Sequence, residues 1–253
     1  HSRVSVDETG GQSTPLISTS GELPFLLKVL AAAEPLSLQA HPSLEQAKNG
    51  YARENRLGVP VSNSRRIYRD PFSKPELLCA LGPFEAFCGF SEPITSVELL
   101  HSIGGGASVL ARLLTDHDLD HLLQYIFSGT EEIRILLTDV VEACAQHDSP
   151  HAMWATRLNT RYPNDPAVVA SLLLNHVILR AGEALYLDPG NLHAYLSGTG
   201  VEVMGSSDNV VRCGLTNKHV DINELLATVI ARPLPDPVLR PIPARRTDTG
   251  HLW

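Results

Sequence analysis

Gln39 and His41 stand two residues apart in Leu36-Ser37-Leu38-Gln39-Ala40-His41-Pro42, where apolar and polar residues alternate. A strand sends residues i and i+2 to one face, so the amide and the imidazole are expected to point together into one cavity. That spacing suits metal ligation. Imidazole is the commonest protein metal ligand, and a glutamine carbonyl can complete a nitrogen–oxygen shell, although glutamine is an unusual ligand for zinc. The same two residues also read as one hydrogen-bonded, structural histidine at a strand end, and by themselves they leave both readings open. Pro42 has no N–H to donate, so the ladder is expected to stop there.

Further along, two acids interrupt apolar text. Glu76 opens Leu77-Leu78-Cys79-Ala80-Leu81, and Glu202 sits inside Val201-Glu202-Val203-Met204. A bare buried carboxylate is costly, so Glu76 must face water, pair with a cation such as Lys74, or bind a metal. His193-Ala194-Tyr195 again places two polar side chains on one strand face. Arg212 follows Asp208-Asn209 in a strand–turn–strand context, and Lys218 closes Gly214-Leu215-Thr216-Asn217-Lys218.

The elements that must position these groups are mostly strands. Phe25 to Leu30 reads as a buried strand, Pro35 separates it from the strand of Gln39, and Ser43 is an N-cap for a helix over 44–56. Residues 59–73 are loop-like. From 95 to 175 the apolar spacing becomes three and four, in Ser96–Leu100, Ala107–Leu114, Leu119–Phe127, Glu131–Gln146 and Ala167–Leu174, with caps at Asp118 and Thr130. His101, His117, His121, His147, His151 and His176 fall in or beside this block with no shared face, and most of them are assigned to solvent or structural hydrogen bonds. Short strands with glycine-rich corners return after Leu179, which suggests an antiparallel barrel or jelly roll. A helix is expected over 221–230, and the prolines at 233, 235, 237, 241 and 243 then read as an extended linker. The expected division is therefore 1–94 and 177–230 as one barrel domain, 95–176 as an inserted helical subdomain, and 231–253 as a linker.

The chain has 253 residues, 43% of them hydrophobic, with a formal net charge of -8, which argues against a nucleic-acid binder. No apolar run approaches the roughly 18 residues of a membrane span; Ser171, Asn175 and His176 interrupt the nearest one, Val168 to Leu179. The start carries no signal-peptide pattern. Cys79, Cys88, Cys144 and Cys213 show no C-x-x-C spacing, so a reducing cytoplasm is expected. The opening over 1–20 is polar, without an initiating Met, and reads as a loop or the stub of a longer chain.

Four stretches in order carry a family resemblance: Gln39-Ala40-His41-Pro42, Lys74-Pro75-Glu76, the segment from Gly182 to Gly198, and Asp208 to Lys218. Together they resemble type I mannose-6-phosphate isomerase, from about Glu22 to Glu224. The resemblance implies a fold that is mainly β with inserted helices, a cupin-type jelly-roll barrel plus an α-helical subdomain. It also implies one zinc ion, held by Gln39, His41, Glu76 and His193, and interconversion of mannose 6-phosphate and fructose 6-phosphate. Lys74, Tyr195, Glu202, Arg212 and Lys218 match polar positions of the family's pocket, with Arg212 in a catalytic position and Lys218 and Tyr195 as substrate contacts. The stretch before Glu76 departs from the family's usual N-H-K-P-E pattern, reading Pro71-Phe72-Ser73-Lys74-Pro75. Further strands ahead of the matched region and a second jelly roll behind it are expected to be missing.

Such an isomerisation moves a proton between C1 and C2 through an enediolate. Zinc would act as Lewis acid, Arg212 would offer a fixed cation, and Glu202 is the first choice of proton carrier, with Lys74 second. An ion pair between Glu202 and Arg212 is the plainer alternative, and Lys28 reads as a phosphate contact or a surface charge. A small phosphosugar, rather than nucleic acid or membrane, is the expected partner, and a monomer is expected. Two other classes stay open on the residues: a non-catalytic cupin module that binds a sugar phosphate, and an iron oxygenase.

Overall fold

The computed structural model describes residues 23–242 without a break, with two short antiparallel pairs outside them, Arg3–Val4 with Thr14–Pro15 and Arg245–Thr247 with Gly250–Leu252. The loop or stub expected over 1–20, apart from its short pair, and part of the expected linker beyond 242 lie outside the described residues. The main sheet has nine strands: β1 (Phe25–Ala32), β2 (Leu38–Ala40), β3 (Glu76–Ala80), β4 (Phe84–Phe90), β5 (Leu174–Leu179), β6 (Ala184–Leu187), β7 (His193–Gly205), β8 (Val211–Gly214) and β9 (Val238–Leu239). Every strand pair is antiparallel, and the sheet curls into a nearly closed, cupin-type barrel.

Strand β7 is the hub. Its first half pairs with β2 and β4, and its second half with β1 and β3. Between the halves lies Gly198, at φ 121°, where a Cβ would stand 2.7 Å from the Pro83 carbonyl. A side chain would strain both the backbone and that contact, so glycine lets one strand serve two parts of the barrel.

Alternate residues of β7 serve two different cores. Ala194 and Leu196 join Leu38, Ala40, Phe87 and Phe90 in a core shared with the helices. Tyr195 faces the other way, into the barrel, with Leu78, Phe84, Ala86, Cys88, Leu179 and Leu185. The helices α2 (Pro93–Ile103), α3 (Ala107–Asp116), α4 (Leu119–Ile126), α5 (Glu131–Cys144), α6 (Pro150–Arg161) and α7 (Pro166–Ala170) lie between β4 and β5 in the chain. Asp118, Thr130, Ser149 and Asp165 cap four of them by accepting backbone N–H bonds. Helix α6 has no counterpart among the expected helices, although Ser149 and Pro150 form a standard start signal. Strand β4 likewise has no expected counterpart, and Leu174, expected at the end of a helix, begins β5. The remaining helices are α1 (Leu44–Arg56) and α8 (Ile222–Thr228) in the expected places, and Ser43 and Gln46 complete a reciprocal capping box on α1.

Two expectations need correction. Phe25–Leu30 is not a buried strand: Phe25, Leu26, Leu27 and Val29 are 38–69% exposed, because β1 pairs only with β7 among the described residues. The stretch expected to be a linker is tied to the barrel over its first part. Leu234 N–H donates to the Phe90 carbonyl, Asn175 Nδ2 donates to the Leu234 carbonyl at 2.9 Å, and β9 pairs with β6.

Several histidines of the helical block make structural bonds, as expected. His151 Nε2 donates to the Leu174 carbonyl at 2.9 Å, and His176 Nε2 lies 2.6 Å from Glu85 Oε1, which also accepts from Trp154 Nε1. This network fastens α6 to strands β4 and β5.

Candidate metal centre

At one end of the barrel interior, Glu76 enters from β3, His193 from β7, and His41 from the turn just after β2. The three are 1–2% exposed, and one ligand atom from each lies within 4.8 Å of the others. His41 Nε2 is 3.2 Å from Glu76 Oε1, and His193 Nε2 is 3.6 Å from Glu76 Oε2. Each ring is aimed by its other nitrogen. His41 Nδ1–H donates to the Asn209 carbonyl at 2.8 Å and His193 Nδ1–H to the Asn191 carbonyl at 3.0 Å, which leaves both Nε2 lone pairs turned inward.

His41 Nε2, His193 Nε2 and Glu76 Oε2 are buried without a hydrogen-bond partner. Orphaned polar atoms in so dry a place are costly, and three converging on one point are what a cation of borderline softness would satisfy. Burial opposes ionisation of Glu76. Its polar surroundings, with the Lys74 ammonium 3.0 Å from Oε1, outweigh it and hold the carboxyl well below its usual range. Burial pushes His193 down to about 4, so it is a neutral ligand at pH 7.

Register places Gln39 beside this cluster. Residues directly opposite in an antiparallel pair share a face, and Gln39 is opposite His193 on one side and Arg212 on the other. Its Oε1 accepts from Ser37 Oγ at 3.1 Å. Arg212 is half-buried without an acidic partner among the described residues; burial and the neighbouring Arg69 guanidinium lower its pKa.

Glu202, 1% exposed, pairs not with Arg212 but with Lys28, Nζ to Oε2 at 2.5 Å, because Lys28 stands opposite it in the β1–β7 ladder. Tyr195 OH donates to Glu202 Oε1 at 2.9 Å, and burial with the two nearby carboxylates keeps the phenol protonated. Tyr195 also links the groups, its ring centroid lying 5.9 Å from that of His193. Lys218 is exposed on the turn after β8, and its side chain makes no hydrogen bond or ion pair among the described residues. Arg69 and Asn209 join the site without having been expected there, because neither carries a chemistry-bearing pattern of its own.

An antiparallel barrel closing around two histidines and a carboxylate defines a cupin-type protein with a metal-binding interior. The family model for the type I phosphomannose isomerase catalytic domain matches residues 6–93. Mannose-6-phosphate isomerase of Salmonella typhimurium is 42% identical over 222 residues, covering 85% of this chain and 56% of that protein. The Escherichia coli enzyme is 42% identical over 216 residues, covering 83% and 54%. The crystal structure of mannose 6-phosphate isomerase from Salmonella typhimurium bound to substrate and zinc superposes with a TM-score of 0.81 at 36% identity, covering 91% of this chain and 60% of that one. The chain belongs to the type I phosphomannose isomerase family, and it spans about half the length of the curated relatives it matches.

Proposed function

We propose that this chain carries the zinc site and catalytic pocket of a mannose-6-phosphate isomerase, interconverting mannose 6-phosphate and fructose 6-phosphate. The observation that carries the reading is the set of unpartnered buried atoms, His41 Nε2, His193 Nε2 and Glu76 Oε2, in a member of this family. His41, His193 and Glu76 would hold the ion, with the Gln39 carbonyl as a further ligand. When bound, zinc supplies Lewis-acid stabilisation of the oxygens at C1 and C2.

The protein's own groups divide the rest of the work. In charge, Lys28 balances Glu202 and Lys74 balances Glu76, so a divalent ion leaves the interior strongly positive, and Arg212 and Arg69 add charge at its edge. That field suits a phosphorylated sugar and an enediolate. Arg212 faces the developing negative charge from the strand edge, and Lys218 contacts the phosphate. Glu202 carries the proton; the Tyr195 hydroxyl and Lys28 hold its carboxylate in place, and Tyr195 also contacts the substrate. Lys74 holds Glu76 in position and is the second candidate for the proton. The domain division is kept as a barrel unit interrupted by a helical block, with two boundaries moved: the block ends before Leu174, where β5 begins, and the stretch from 231 to β9 goes with the barrel. No helix among the described residues is long and apolar enough to cross a membrane. The free cysteines support a cytoplasmic location. We take the unit to be a monomer.

A coupled assay for fructose 6-phosphate formed from mannose 6-phosphate, on metal-stripped protein before and after zinc addition, tests the proposal. Zinc-restored turnover is expected. Stoichiometric zinc binding without turnover would leave only a sugar-phosphate-binding module.

A further inference from the structure

We infer that Asn209 is a positioning residue for the metal centre, acting through His41 and the approach to Glu76; the inference rests on the zinc reading above. Asn209 is fully buried just ahead of β8, and its carbonyl is the group that accepts from His41 Nδ1–H at 2.8 Å. Where that carbonyl points is decided by the side chain of the same residue. Asn209 Oδ1 accepts from Arg69 N–H at 2.7 Å, and Nδ2 donates to the Asp70 carbonyl at 2.8 Å and the Phe72 carbonyl at 2.9 Å. Asp70 returns the grip: its carboxylate accepts from Ser207 Oγ and from Asp208 N–H, both at 2.8 Å.

The consequence is geometric. Residues 69–72 lead directly into Lys74 and Glu76, so one amide group joins the segment that delivers Glu76 to the segment that aims His41. Asp70 and His41 are 139 and 168 residues from Asn209 in sequence. The pattern demands an amide. One end must accept an N–H while the other donates to two carbonyls; a carboxylate would repel those carbonyls, and an apolar side chain would leave all of these groups orphaned.

The test is zinc affinity of metal-stripped protein, by competition with a chromophoric chelator. The visible spectrum of the cobalt-substituted protein reports ligand geometry, and circular dichroism with urea unfolding reports the fold. Asn209→Ala and Asn209→Asp are expected to fold and to bind zinc about 10- to 100-fold more weakly, as loss of a group that orients a ligand does, with an altered cobalt spectrum. Folded Asn209→Ala protein with unchanged zinc affinity and cobalt spectrum would overturn the inference while leaving the zinc site standing. Should Asn209→Ala fail to fold, Ser207→Ala loosens the same clamp from the other side: weaker zinc binding supports the inference, and unchanged binding overturns it. Absence of zinc binding by the unaltered chain would overturn both the inference and the reading it rests on.

Discussion

The two faces of β7 make one strand into two kinds of interior. Ala194 and Leu196 face the helices, where the core is built mainly from Leu, Val, Ile, Ala and Phe packed against one another. His193, Tyr195 and Glu202 face into the barrel, where the apolar cluster gives way at one end to two carboxylates, two imidazoles, a phenol and Lys74. Among the described residues the helical side has the network of Glu85, His176 and Trp154, which fastens a helix to the sheet and sits at the margin of an otherwise apolar core. The labour is divided between the two faces: packing on the outside of the sheet supplies stability, and the inside of the barrel supplies dry, opposed charges that can be put to chemical use.

The comparison breaks most decisively at Glu76. Glu76→Gln keeps the shape but removes the charge that the imidazoles and Lys74 face, so zinc content should fall from one ion per chain to a trace. Turnover should fall with it, roughly 1,000-fold or more, and metal analysis after dialysis together with the coupled assay checks both. Glu202→Gln separates metal holding from proton transfer within the same interior. Zinc content should be retained while turnover drops by about 100-fold or more; undiminished turnover would remove Glu202 as the proton carrier. Leu122→Ala tests the other face. Leu122 is completely buried in the helical core, and its truncation should cost about 2–5 kcal/mol in urea unfolding while zinc affinity stays as it was. A shift in zinc affinity there would mean that the two interiors are not independent.

Much of this was readable from local chemistry. The reciprocal cap of Ser43 and Gln46, the capped helices after Asp118 and Thr130, and the alternation that sends Gln39 toward His41 follow from neighbours within a few residues. So does the oddity of an acid in an apolar strand, which marked Glu76 and Glu202. Strand β4 escaped because it lies between two cores: Phe84, Ala86 and Cys88 serve one, Phe87 and Phe90 the other. With both faces apolar and an irregular register between Phe87 and Phe90, no period-two signal survives. β1 misled in the opposite sense, since an apolar run states a preference for burial and not whether a neighbour supplies it.

Partners across the sheet are a different matter. Lys28 rather than Arg212 balances Glu202, because the β1–β7 register sets them opposite each other although they lie near opposite ends of the chain. Asn209 reaches His41 and Asp70 only because three loops meet at one end of the barrel. By itself, then, the sequence determined the kinds of groups present and the periods of most elements, because these depend on side-chain chemistry and on short-range spacing; the set of His41, Glu76 and His193 followed only from the family resemblance, since the three lie far apart in the chain. Tertiary structure alone decided which charges pair, which ring nitrogen is free and which apolar face is covered, because those depend on strand register and on the packing of segments far apart in the chain.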